Sequence, residues 1–271
     1  MSNKIDVFIP TFNSMPEIKR LLKSIKYEIP INRIIIVDGG SSDGTIQFTK
    51  SEGATVLFQT HPGVGAARAL ALDLIETPIF ASFDSDVQIT PGWYKIMVKI
   101  MDDPHVAVAA SIALYGQPGS ALEDFFKWGY EVGRRKANLC AVLLRTDLIK
   151  NVGGFNPDYK TGEDVDLYRK IVKTNSIKWI TVENVIVRHP QTLQEFFLHS
   201  AWYGHEDSDP QQKAKPFPIR FIKAIWLGLR NANKHPAIII ILPLAEIWRL
   251  FGHIEEKFVG YRSPPKNKSN R

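Results

Sequence analysis

Between residues 5 and 101, short β-branched runs alternate with longer segments of helical periodicity, and this alternation constrains the fold more than any other feature. Residues 5–10 read as a strand and 15–25 as a helix. Residues 33–37 (Arg-Ile-Ile-Ile-Val) form a second strand, followed by a polar turn and a short helix. A third strand is expected over 54–58 and an Ala/Leu-rich helix over 65–75. A fourth strand covers 78–83, and a helix with proline in its first turn covers 91–101. Continuously apolar strands joined by helices predict a mainly parallel sheet covered on both faces. Beyond residue 112 the pattern loosens. Residues 120–135 read as an aromatic-rich helix, Gly153-Gly154-Phe155 as a turn, 164–174 as a charged helix, and 177–188 as one or two strands ending at His189-Pro190.

Sheets of this kind bind ligands beyond the carboxyl ends of their strands. The polar segments fall there: Thr11-Phe12-Asn13-Ser14 after the first strand, Asp38 after the second, Asp84-Ser85-Asp86 after the fourth. Asp84 and Asp86, one residue apart, can give oxygens to one hard divalent cation that also takes phosphate oxygens. The same pair also suits a strand end with Asp86 capping a turn. Asp38 can accept N–H groups of a nucleobase or simply open the glycine-rich turn, where Asp43 caps the next helix. Gly63-Val64-Gly65-Ala66-Ala67-Arg68 superficially matches a dinucleotide fingerprint. It follows the third strand, though, and Arg68 replaces the third glycine, which argues against a nicotinamide-dependent dehydrogenase. A glycine-rich helix entry with Arg68 still suits phosphate. Glu163-Asp164 opens a helix, where acidic residues favour the dipole and a carboxylate can also act as general base. His189 is a ligand type that Mn²⁺ accepts and Mg²⁺ does not favour.

In order, Val7-Phe8-Ile9-Pro10-Thr11-Phe12-Asn13, Ile36-Val37-Asp38-Gly39-Gly40-Ser41-Ser42-Asp43-Gly44-Thr45 and Phe83-Asp84-Ser85-Asp86 resemble the successive signatures of family 2 glycosyltransferases of the GT-A fold. Gly153-Gly154-Phe155 followed by Gly162-Glu163-Asp164-Val165-Asp166-Leu167 is similar to that family's acceptor-side signature, so the resemblance runs over residues 5–190. It implies an α/β, Rossmann-like mixed sheet with helices on both faces, followed by a C-terminal helical extension. The expected divisions are a nucleotide-sugar half (1–112), an acceptor half (113–190) and a basic helical region (191–271). It also implies a metal-dependent, inverting transferase of the hexosyltransferase class (EC 2.4), using a UDP- or GDP-linked sugar, Mn²⁺ or Mg²⁺, and a glycan or lipid-linked hydroxyl acceptor. Pro10, Thr11, Asn13, Asp38, Arg68 and Asp84 would then line the nucleotide pocket. Asp86, Asp84 and His189 would hold the metal, and Asp164, with Glu163 beside it, would be the base. The third motif departs from the pattern in having Ala69 where an asparagine is usual, and 138–141 lacks the expected small residues. A nucleotidyltransferase would need a glycine-rich basic loop after the first strand, which Thr11-Phe12-Asn13-Ser14 is not. A catalytically silent nucleotide-sugar or membrane-binding scaffold is the alternative, opposed by intact Asp84, Asp86 and Asp164.

Composition adds location. Cys140, the only cysteine, excludes an intramolecular disulfide and cannot alone build a thiolate metal site, as in a reducing compartment. The strand pattern begins at Ile5, so no signal peptide is expected. The net charge is +6, yet residues 211–271 hold twelve Lys/Arg against three Glu while the rest sums to −3. Over 218–234, Arg220, Lys223, Arg230 and Lys234 share one helical face, and Phe221, Ile222, Ile225, Trp226 and Leu229 the other. Residues 236–245 are apolar but too short for a span. The expectation is a basic amphipathic region, 211–262, on an anionic membrane at the cytoplasmic face of the cell membrane. No nucleic-acid partner is expected, because the aromatics lie opposite the basic face.

Overall fold

In a computed structural model, residues 4–132, 137–189, 191–204 and 216–259 are described. The first hundred residues fold as alternating strands and helices: β1 (Ile5–Thr11), α1 (Glu17–Glu28), β2 (Ile31–Asp38), α2 (Thr45–Ser51), β3 (Thr55–Phe58), α3 (Val64–Leu74), β4 (Ile79–Phe83) and α4 (Trp93–Ile100). There follow β5 (Val106–Tyr115), α5 (Ala121–Glu131), β6 (Ala141–Arg145), α6 (Thr146–Asn151), α7 (Glu163–Lys173) and β7 (Lys178–His189). The chain continues through α8 (Leu193–Gly204), α9 (Phe217–Asn231) and α10 (Ile238–Val259).

The seven strands form one sheet in the order β3-β2-β1-β4-β6-β5-β7. β1 runs parallel to β2 and β4, and β2 parallel to β3, whereas β6 pairs antiparallel with both β4 and β5. The parallel half follows from its sequence. Val7, Phe8, Ile9, Ile35, Ile36 and Val37 are buried on both faces of the sheet, which only helices on both sides permit. Amphipathic α1 buries Ile18, Leu21, Leu22 and Ile25 and leaves its lysines outside. The antiparallel half was not evident from periodicity, since β6 is five residues long and each of its neighbours is distant in sequence.

The chain divides into two compact units. The first comprises residues 1–113 and 135–189 and contains the parallel half of the sheet. The second comprises 114–134 and 190–271, so that α5 belongs with the C-terminal helices. In that second unit Phe196 of α8 stacks edge-on against Phe125 and Phe126 of α5, with ring centroids 5.3 and 5.9 Å apart. His235, between α9 and α10, meets Asp124 at 2.7 Å and Glu131 at 3.1 Å.

Candidate active site

β1 and β2 end side by side, Thr11 paired with Asp38. The two loops beyond them are sewn together by short polar side chains. Asn13, with φ +47°, donates its N–H to Ser41 Oγ at 2.7 Å and accepts Ser42 N–H on Oδ1 at 2.9 Å. Ser14 donates its N–H to Thr45 Oγ1, and Met15 donates to Asp43 Oδ2. The helix cap is Gly44 and not Asp43 as expected; Asp43, one residue ahead of it, accepts Thr45 N–H and hydroxyl and so still holds the start of α2.

Asp38 is buried, and its carboxylate is saturated. Oδ1 accepts Gly40 N–H (2.9 Å) and Ser41 N–H (2.6 Å); Oδ2 accepts the Thr11 and Ser41 hydroxyls at 2.8 and 2.6 Å. Four donors fill its four lone-pair directions. A nucleobase N–H reaches Asp38 only by displacing one of them.

Arg68 does not stand at an open phosphate entry. Val64 and Gly65 donate their N–H groups to the carbonyls of Lys160 and Tyr159 at 3.0 and 3.1 Å, so the first turn of α3 clasps the 156–160 loop. A Cβ on Gly63 would lie 2.4 Å from Lys160 Cα, and one on Gly65 would lie 2.5 Å from Tyr159 O. These glycines serve close backbone approach. One turn on, Arg68 is 3% exposed and spends its fork on three partners: Nε to Glu163 Oε1 (2.9 Å), Nη1 to Ser82 Oγ (2.6 Å) and Nη2 to Asp84 Oδ1 (3.0 Å). It thus ties the end of β4 to the start of α7, bonding Glu163 across ninety-five residues of chain.

Glu163 and Asp164 occupy the first turn of α7, beyond Gly162 at φ +76°. Burial raises the Glu163 carboxyl above its ordinary range, against the pull of Arg68. Asp164 is half-buried; loss of water, then the neighbouring Glu163 charge, carries its carboxyl up to about 7, opposed by its own hydrogen bond from Val165 N–H.

On the other side, Asp86 Oδ1 lies 3.0 Å from His189 Nδ1, at the end of β7. Burial alone would lower the His189 pKa, but Asp86 and Cys140 outweigh it and raise it well above the ordinary imidazole value. Antiparallel pairing of Phe83 with Ala141 brings Cys140 beside Asp84, whose N–H donates to Cys140 O at 2.9 Å. Ligand atoms of Asp84, Cys140 and His189 all lie within 4.8 Å of one another. Cys140 is the member of this cluster that sequence reasoning passed over, and only the β4–β6 register reveals it. Asp38, Asp84, Asp86, Arg68, Glu163, Asp164 and His189 all belong to the first compact unit. Pro10 lies in β1 and pairs with Val37.

The Glycosyl transferase family 2 profile matches residues 6–138. The pre-mycofactocin glycosyltransferase of Mycobacterium tuberculosis is 28% identical over 220 residues, an alignment covering 74% of this chain and 46% of that protein. This chain therefore spans just under half of that relative's length. Among solved structures, the mannosyltransferase PcManGT of Pyrobaculum calidifontis, in complex with GDP-Man and Mn²⁺, superposes with a TM-score of 0.62 at 18% identity, over 94% of this chain and 87% of that one. Glucosyl-3-phosphoglycerate synthase of M. tuberculosis, with Mn²⁺, UDP and glucosyl-3-phosphoglycerate, gives 0.51 at 17% identity over 70% and 73%. The fold is the GT-A kind that the ordered motifs implied.

Proposed function

We propose that this chain, which belongs to glycosyl transferase family 2, is a metal-dependent glycosyltransferase that moves a sugar from a UDP- or GDP-linked donor to a hydroxyl acceptor with inversion. One observation carries the reading. Arg68 joins the acidic end of β4, on the donor side, to Glu163-Asp164, on the acceptor side, through charged hydrogen bonds, buried to Glu163 and part-buried to Asp84.

The donor set suits a divalent cation. Asp84 and Glu163 bond the Arg68 guanidinium, Asp164 follows Glu163 in the first turn of α7, and Asp86 meets the His189 imidazole. Asp84, Asp86 and His189 would hold the cation, which offsets charge building on the leaving diphosphate. The remaining steps belong to the chain. Thr11, Asn13 and the 38–45 loop bind the nucleoside, and Pro10 shapes the floor beneath it. Asp164 takes the acceptor hydroxyl's proton as that oxygen bonds to the anomeric carbon, while the bond to the diphosphate breaks and its electron pair leaves with the diphosphate. A base whose pKa is raised toward neutrality is matched to that task. Attack opposite the leaving group inverts the centre.

The acceptor is read as a glycan or lipid-linked hydroxyl presented at the cytoplasmic face of a membrane. Ile222 and Leu229 of α9 are 67% and 64% exposed, Trp226 lies beside them, and Lys223 and Arg230 flank the stripe. Ile240 and Phe251 continue an exposed apolar row along α10. This supports a helix lying in the interface rather than one held by charge alone. Arg220 differs from the expected basic face: it pairs with Glu246 at 3.0 Å and is largely covered. Among the described residues no helix is long and apolar enough to cross a membrane, and residues 211–215 and 260–262 of the expected membrane stretch lie outside those described.

A panel of nucleotide sugars tests the activity. Mn²⁺-dependent release of UDP or GDP is expected from at least one, abolished by Asp86→Ala and slowed about 10²–10⁴-fold by Asp164→Asn. Nucleotide-sugar binding without release from any donor, with or without metal, would leave a silent scaffold instead.

A further inference from the structure

The structure assigns Cys140 to the cation centre: we propose that Asp84, Cys140 and His189 form an oxygen–sulfur–nitrogen site that takes a thiophilic divalent ion, Zn²⁺ or Co²⁺, more tightly than Mn²⁺ or Mg²⁺. It rests on the proposed function in that Asp84 and His189 also serve the donor-binding cation.

Three observations carry it. The ligand atoms of these residues lie within 4.8 Å of one another. A tetrahedral zinc, with bonds of about 2.0–2.3 Å, holds its donors about 3.3–3.8 Å apart, so closure needs side-chain shifts of about 1 Å. Second, the backbone already fixes two of the three: the Phe83–Ala141 register and the Asp84 N–H to Cys140 carbonyl bond hold the strand ends together. Cys140 is 7% exposed and His189 2%, so both ligands are ordered by packing before any ion arrives. Third, Asp84 accepts Arg68 on Oδ1 and has a second oxygen to offer, while Asp86 meets His189 Nδ1 at 3.0 Å, the carboxylate support that metal-bound imidazoles usually receive.

The chemistry follows from the donors. Carboxylate oxygens alone suit Mg²⁺ and Mn²⁺; a thiolate selects zinc and cobalt. Binding releases the Cys140 thiol proton to solvent and leaves a sulfur–metal bond.

The test is X-ray absorption on the full chain loaded with one equivalent of Zn²⁺ as a monomer. Because the chain has one cysteine, a zinc–sulfur path at about 2.3 Å identifies Cys140 without any variant. The expected result is that path, a thiolate-to-cobalt charge-transfer band in the Co²⁺ form, and zinc affinity weakened at least about tenfold in Cys140→Ser with Mn²⁺ affinity within about twofold. Oxygen and nitrogen scattering only, at about 2.0–2.1 Å, overturns the proposal even if Cys140→Ser fails to fold. That result together with intact Mn²⁺-dependent donor binding defeats the zinc centre alone. A zinc–sulfur path in a chain that binds no nucleotide sugar defeats the transferase reading and leaves the centre standing.

Discussion

Arg68 is the residue on which the two sides of the site depend. It is buried with Glu163 on Nε and Asp84 on Nη2, and its side chain also lies over the Phe8 ring, 6.0 Å from the centroid. Removing one partner of such a group leaves carboxylates out of water without compensation, which costs about 3–5 kcal/mol. Arg68→Met is therefore expected to lower the urea midpoint markedly, and adding Glu163→Gln is expected to recover part of that loss. Strict additivity of the two would contradict the coupling. Asp164 carries the second prediction. Burial raises its folded pKa above the ordinary carboxyl value, so the folded state binds the proton more tightly than the unfolded chain. The stabilisation is complete below the unfolded carboxyl's pKa and is lost as pH rises through about 7. Asp164→Asn should thus gain stability relative to wild type at pH 8, and the gain should shrink toward pH 4. The wild-type rate should show the opposite trend, falling below neutrality as the base is protonated. A pH-independent stability difference would contradict the burial argument. Asp164 was already implied as the base, but neither its burial nor the Arg68–Glu163 coupling was legible from sequence. Glu163-Asp164 stood out as an acidic helix start, but that Arg68 would reach it depends on how α3 packs against the 156–160 loop.

At the scale of elements, the four strand–helix repeats were readable because period-2 and period-3.6 patterns differ and each unit is short-range. The expected helix over 15–25 begins later, at Glu17, and runs to Glu28; the strand over 33–37 extends to 31–38. β5 and β6 were not foreseen, since nothing local tells Ala141–Arg145 to enter between β4 and β5 rather than to remain a loop. The start of α3 was misread in kind. Its glycines looked suited to phosphate but instead admit the backbone of Tyr159 and Lys160. Gly63→Ala meets both a Cβ contact of 2.4 Å and a φ of +114°, and is expected to cost about 2–4 kcal/mol and to depress transfer through a displaced α7 start. Gly53→Ala, at φ +81° with open space around it, should lose only the backbone term, about 1 kcal/mol. Equal losses would contradict the clasp. For α9, replacing exposed Ile222 and Leu229 with serine leaves packing intact and removes two apolar anchors. Partition onto anionic vesicles should fall by about tenfold or more. Lys223→Gln with Arg230→Gln should instead flatten the salt dependence. Unchanged partition in both pairs would contradict interfacial binding.

Across the whole molecule, the site is confined to one compact unit while the exposed apolar helices belong to the other. Segment 114–134 leaves the first unit and returns at residue 135, so the first unit is discontinuous in sequence. A linear reading has no means to detect this, because the aromatic residues of α5 signal a buried helix without saying which unit buries it. Charge was more informative. Confinement of the basicity to the last sixty residues agrees with the location of the exposed stripe, although Arg220 proved to be spent on Glu246. In the proposed function, the carboxyl ends of β1, β2 and β4 hold a cation and a nucleoside diphosphate together. Titration calorimetry of UDP and GDP tests it most directly. One of them is predicted to bind one-to-one with Mn²⁺ present, at least about tenfold more weakly in EDTA, and not measurably in Asp86→Ala. Equal affinity with and without the metal, or no binding of either nucleotide, would contradict it.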